Sequence, residues 1–126
     1  MISDILKNTI LIGCGSFVGG AARYLVSVAM NNMSKGFPWG TLVVNLVGCL
    51  AIGLLWGFFS RNASENGSWA LFMTVGICGG FTTFSTFSKE ALMMLQAGNH
   101  MGMLAYIGVS VIAGAGLVAA GYHLAR

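Results

Sequence analysis

Gly79-Gly80-Phe81-Thr82-Thr83-Phe84-Ser85-Thr86-Phe87 lies inside an uncharged run of 23 residues between Glu65 and Lys89. Two adjacent glycines, three phenylalanines and four hydroxyl side chains make a poor apolar membrane helix. Glycine in a helix interior costs about 1 kcal/mol relative to alanine, because its backbone departs freely from helical dihedrals. Within a bilayer, irregular backbone is tolerated only where protein buries it or where it lines a wet cavity. The nonapeptide therefore predicts a helix broken near Gly79-Gly80 and a polar site embedded beside the break.

Outward from this stretch, charges punctuate the chain. Lys7 to Arg23 encloses 15 uncharged positions, Lys35 to Arg61 encloses 25, and Glu90 to Arg126 encloses 35 with only two histidines among them. Charged residues make up 7% and hydrophobic ones 56%, against roughly 25% charged in a soluble globule. A helix crossing about 30 Å of hydrocarbon needs about 20 apolar residues. Four spans fit, at about 5–30, 38–60, 68–97 and 102–124, in one domain over 1–126. The fold class is all-α and integral to the membrane. Pro38 suits the first turn of the second span, where its missing N–H has no partner to lose. Asn31 to Gly36 and Asn62 to Gly67 read as polar loops, and Ala97-Gly98-Asn99-His100 as a tight turn. The first span mimics a cleaved signal peptide, but apolar sequence continues past Arg23 to Met30 and three spans follow, so it reads as a membrane helix.

The net charge of +3 is small and scattered, whereas nucleic-acid binding requires a basic stripe or patch. Cys14, Cys49 and Cys78 fall inside spans without CxxC spacing and read as small buried hydrophobes. No nucleophile–base pair or phosphate-cradling loop suggests an enzyme, and His100 and His123 sit at span ends. Four spans put both termini on one side with Lys7, Arg61 and Arg126, leaving Arg23, Lys35 and Lys89 on the other. Lys/Arg asymmetry sets orientation, and this count is even. Two readings stay open: the chain inserts both ways up, which permits antiparallel pairing, or a feature outside the count, such as the N-terminal amine, fixes one orientation. Gly15-xxx-Gly19, Gly53-xxx-Gly57 and Gly76-xxx-Gly80 are spaced for close helix approach. Four short helices enclose little volume, so oligomerisation is expected to bury more.

Several polar residues fall within the spans. Arg23 is a near-membrane cation, which is by default a functional hypothesis; the alternative is a side chain snorkelling to the interface beside Tyr24. Thr41, Asn45 and Gly48 share a helix face, where Asn45 either bonds a neighbouring helix or donates into a polar pathway. Tyr106 and Ser110 share a face of the fourth span, and Phe84 and Phe87 share one in the third. Paired phenylalanines are usually core packing. Together with Ser85 and Thr86, however, these groups form a series of neutral donors and aromatic edges. Ring edges carry partial positive charge, and conduction requires sites weak enough to let the ion leave. A small anion fits such a series. The rival reading is a small proton-coupled multidrug exporter, which needs an intramembrane carboxylate and finds only Glu90, toward the end of the third span. A non-transporting scaffold with glycine-rich assembly faces is a third.

Gly19-Gly20-Ala21-Ala22-Arg23-Tyr24, Pro38-Trp39-Gly40-Thr41-Leu42-Val43-Val44-Asn45-Leu46-Val47-Gly48, the stretch from Gly79 to Glu90, and Tyr106-xxx-Ser110 resemble the motifs of the CrcB/Fluc fluoride channel family over essentially the whole chain. The resemblance implies a passive fluoride channel in the prokaryotic inner membrane, built as an antiparallel homodimer with two pores. It implies that Phe84 and Phe87 line each pore, that Asn45 donates to fluoride, and that Thr41, Ser85, Thr86, Tyr106 and Ser110 belong to the polar pathway. Arg23 would sit in an aqueous vestibule. A structural sodium ion (Na+) at the dimer centre would be held by the backbone carbonyls of Gly79 and Thr82.

Overall fold

The computed structural model describes residues 1–30, 36–62 and 67–126. Most of the expected loops at Asn31 to Gly36 and Asn62 to Gly67, with Lys35, lies outside the described residues. Helix α1 covers Ile2–Met30 and α2 covers Trp39–Arg61. The third span starts with α3 (Ser68–Leu71), widens into a π-helical stretch (Phe72–Cys78), and resumes as α4 (Gly79–Phe81). After two extended residues it continues as α5 (Phe84–Gln96), and α6 (His100–Ala125) completes the chain. Among the described residues, four helical spans are long and apolar enough to cross a membrane: Ile2–Met30, Trp39–Arg61, Ser68–Gln96 and His100–Ala125.

Local chemistry explains the helix ends. Pro38 precedes α2 as its capping residue, and its carbonyl accepts from the Leu42 N–H at 3.2 Å, closing the first turn. At the end of α5, Gly98 adopts φ +80°. That left-handed residue lets the N–H groups of Gly98 and Asn99 return to the carbonyls of Leu95 and Met94, a Schellman closure of orphan acceptors. Asn99 then caps α6, its Oδ1 accepting from the Gly102 N–H at 3.0 Å. The fourth helix consequently starts at His100, two residues before the expected boundary.

The first and third glycine motifs meet one another. A Cβ on Gly15 would lie 2.8 Å from the Phe72 carbonyl oxygen and 2.9 Å from the Gly76 Cα, so α1 and the π-helical stretch touch backbone to backbone. Such close approach is how small residues drive helix association in lipid. The second motif packs on α6 instead, with Gly53 against the Val118 backbone and Gly121 of α6 against Leu50 and Leu54. A separate apolar core of Leu42, Ala91, Met94 and Tyr106 ties α2, α5 and α6 together.

The break in the third span lies just past the glycine pair. Gly79 is still helical, with φ −62° and ψ −38°, whereas Thr82 (φ −84°, ψ 161°) and Thr83 (φ −151°, ψ 123°) are extended. Gly80 serves contact rather than unwinding: a Cβ there would lie 2.7 Å from the Ser16 carbonyl oxygen. The threonines supply what an interruption needs. The Thr83 hydroxyl accepts from the Thr86 N–H at 3.3 Å and caps α5.

Candidate functional site in the cleft beside the helix break

Asn45 of α2 faces the break and grips it with both ends of its amide. Its Oδ1 accepts from the Thr83 N–H at 2.8 Å, while its Nδ2 donates to the Thr83 carbonyl at 3.1 Å. One turn further along α2, Gly48 leaves room for the Thr82 methyl group. The interhelical bond and the polar-pathway reading of Asn45 coexist, because a primary amide carries two N–H donors and the Thr83 carbonyl takes one.

Next to this junction is a cleft of about 370 Å³, with Asn45 and Thr83 at its polar edge and Phe84, Phe87 and Ser110 on its walls. Gly79, Thr82, Cys49 and Cys78 also line it, and none of its lining residues is charged. The Phe84 and Phe87 ring centroids are 5.9 Å apart with planes inclined at 45°. Phe84 is 78% exposed in the single chain, so one side of the cleft is unwalled. The Ser110 hydroxyl is buried without a hydrogen-bond partner among the described residues. A buried orphan hydroxyl is costly, and it is the kind of donor a transient ligand would satisfy.

Carbonyl orientation at the break follows from where the donors go. In a continuous helix the Thr83 N–H would serve the Gly79 carbonyl and the Thr86 N–H would serve that of Thr82. Asn45 takes the first and the Thr83 hydroxyl the second. The Gly80 carbonyl instead accepts from Arg23 Nε at 3.2 Å, and the Thr83 carbonyl is held by Asn45. The Gly79 and Thr82 carbonyls have thus lost their helical donors to the side chains of Asn45 and Thr83. Oxygen donors of this type suit a hard cation, so the residues present fit a sodium ion.

The remaining expected site residues lie around the cleft rather than along its walls. Tyr106 is fully buried behind Phe87, ring centroids 5.0 Å apart, and its hydroxyl donates to Glu90 Oε1 at 3.3 Å. Thr41 is buried and adjoins the Tyr106 hydroxyl. The Ser85 hydroxyl is exposed, 3.5 Å from that of Thr83, and the Thr86 N–H donates to the Thr83 hydroxyl. Arg23 is half-buried on the α1 side of the break. Sequence reasoning missed Thr83, which takes part in four of these hydrogen bonds, although a threonine at a helix start is a capping signal. It also missed Glu90 as the partner of Tyr106.

The family model described as CrcB-like protein, Camphor Resistance (CrcB), matches residues 10–122. The chain belongs to the CrcB family. Among its relatives, a protein named Fluoride-specific ion channel FluC from Methylobacterium nodulans is 41% identical over 121 residues, spanning 96% of this chain and 98% of the relative. One of the same name from Desulfotalea psychrophila is 36% identical over 98% of this chain and 95% of its own length. Fluoride-specific ion channel FluC 1 of Yersinia pestis is 50% identical over 72% of each chain. With four spanning helices and relatives of this kind, the CrcB family member described here is a multi-pass membrane protein.

Proposed function

We propose that this chain forms a passive, fluoride-selective channel that returns cytoplasmic fluoride across the membrane down its gradient. Fluoride enters cells as neutral HF and ionises inside, so a selective leak is enough to remove it. The observation that carries this function is the uncharged cleft lined by two phenyl rings, by Asn45 with its spare N–H and by Ser110, whose hydroxyl has no partner among the described residues. Ring edges and neutral donors attract a small anion without the full positive charge that would hold it in place. The names of the full-length relatives point the same way.

Two copies assemble as an antiparallel homodimer in this proposal, and each pair encloses two pores. Its support is the unwalled side of the cleft, the exposed Phe84 and Gly79, and the even split of basic residues between the two membrane faces. A sodium ion between the copies would be held by the carbonyls of Gly79 and Thr82 from each. Its charge would offset carbonyl dipoles lying between two anion paths. The test is efflux from liposomes containing purified protein: fluoride is expected to leave rapidly and chloride hardly at all. Equal rates for the two anions would overturn the proposed selectivity.

A further inference from the structure

Side chains hold some of the carbonyls around the break and leave others without a helical donor. Those of Gly80 and Thr83 are occupied by the side chains of Arg23 and Asn45. Those of Gly79 and Thr82 have lost the N–H groups that a continuous helix would give them. The selection depends most on Asn45, because it acts on both sides of one peptide unit. By accepting from the Thr83 N–H it keeps that donor from the Gly79 carbonyl. By donating to the Thr83 carbonyl it fixes the rotation of the extended segment, and the Thr82 methyl seated against Gly48 holds the same segment from the side. A carboxylate supplies only acceptors in place of this donor–acceptor pair.

We propose that Asn45 is a positioning residue for the cation site: it determines that the Gly79 and Thr82 oxygens, and not their neighbours, are presented to the ion. This rests on the sodium site proposed above. It gives Asn45 a task separate from any donation to fluoride, and it predicts that the two tasks come apart on substitution.

The experiment is thermal unfolding of the purified, full-length protein in detergent, titrated with sodium chloride against choline chloride at constant ionic strength. The unmodified protein is expected to gain stability with a saturable sodium dependence. In Asn45→Ala the Thr83 N–H returns to the Gly79 carbonyl, and half-saturation moves to about tenfold higher sodium or beyond, as loss of a ligand-orienting contact commonly does. Asn45→Asp retains an acceptor for the Thr83 N–H but cannot donate to the Thr83 carbonyl, so its fluoride efflux falls while its sodium half-saturation moves less than that of the alanine variant. Phe84→Ile, which leaves the clamp untouched, also keeps the sodium response. An Asn45→Ala protein with unchanged half-saturation overturns the proposal. So does an Asn45→Asp protein whose half-saturation lies about tenfold or more above that of Phe84→Ile, a comparison that holds even if Asn45→Ala fails to fold. If the unmodified protein shows no sodium dependence, the sodium site itself falls, and fluoride efflux is then judged on its own.

Discussion

Replacing Gly53 with alanine tests whether backbone contact between α2 and α6 sets the geometry of the cleft. A Cβ at Gly53 would lie 2.9 Å from both the carbonyl carbon and the Cα of Val118. Non-bonded carbons sit comfortably at about 3.5–4.0 Å, so the helices must part by roughly 0.6 Å or more. The Val118 carbonyl oxygen stands closer still, and none of the three atoms can rotate away, since all belong to helix backbone. Overpacking of this kind costs about 1–3 kcal/mol, set against the gain of up to about 1 kcal/mol from alanine's better helix propensity. The natural control is Gly116→Ala on α6, where an added Cβ meets nothing within 4 Å; there only the propensity gain applies. Thermal unfolding in detergent should show Gly53→Ala melting lower by on the order of 5 °C and Gly116→Ala melting at or above the parent. Fluoride efflux should fall in the first variant alone, because α2 carries Asn45 and α6 carries Ser110 to the same cleft. Equal stability of Gly53→Ala and Gly116→Ala would refute the contact argument.

Three further outcomes are expected. Ser110→Ala removes a buried hydroxyl without a partner, so it should leave stability unchanged or raised by about 1 kcal/mol while slowing fluoride efflux from liposomes; unaltered efflux would remove Ser110 from the ion path. Phe84→Ile replaces one of two adjacent rings and should reduce fluoride efflux at least about tenfold, the effect of roughly 1.4 kcal/mol on a barrier, with size-exclusion elution of the purified protein unchanged. Tyr106→Phe deletes the 3.3 Å bond to Glu90 and should lower thermal stability by about 0.6–2 kcal/mol, the range for polar bonds between membrane helices.

Much of the fold was legible because charge is so sparse: the gaps between Lys7, Arg23, Lys35, Arg61 and Glu90 mark out the spans without any knowledge of packing. Small-residue spacing likewise showed where helices touch, though not which touch which. The offset between Gly79-Gly80 and the true break has a physical source. Glycine permits both unwinding and close approach, and one chain in isolation does not distinguish them; only Ser16 facing Gly80 does. The π-helical widening at Phe72–Cys78 leaves no signature in residue type. Asn45, Phe84, Phe87 and Ser110 were singled out by their chemistry, and all four line one cleft. Tyr106 shares a face with Ser110 by spacing, yet the Phe87 ring stands in front of it and Glu90, 16 residues earlier, receives its hydroxyl. Contacts of that range depend on how α5 turns into α6, which neither periodicity nor spacing encodes.

Thr82 and Thr83 also act as a seam between two bodies. The stretch from Ser68 to Phe81 rides on α1, whereas Phe84 to Gln96 rides on α6. Turning the four torsions of those two residues would swing the aromatic walls against the Gly79 oxygen while leaving each rod intact. Substitutions where α1 meets its neighbour would then shift one wall of the cleft against the other without altering the side chains of Asn45, Phe84, Phe87 or Ser110.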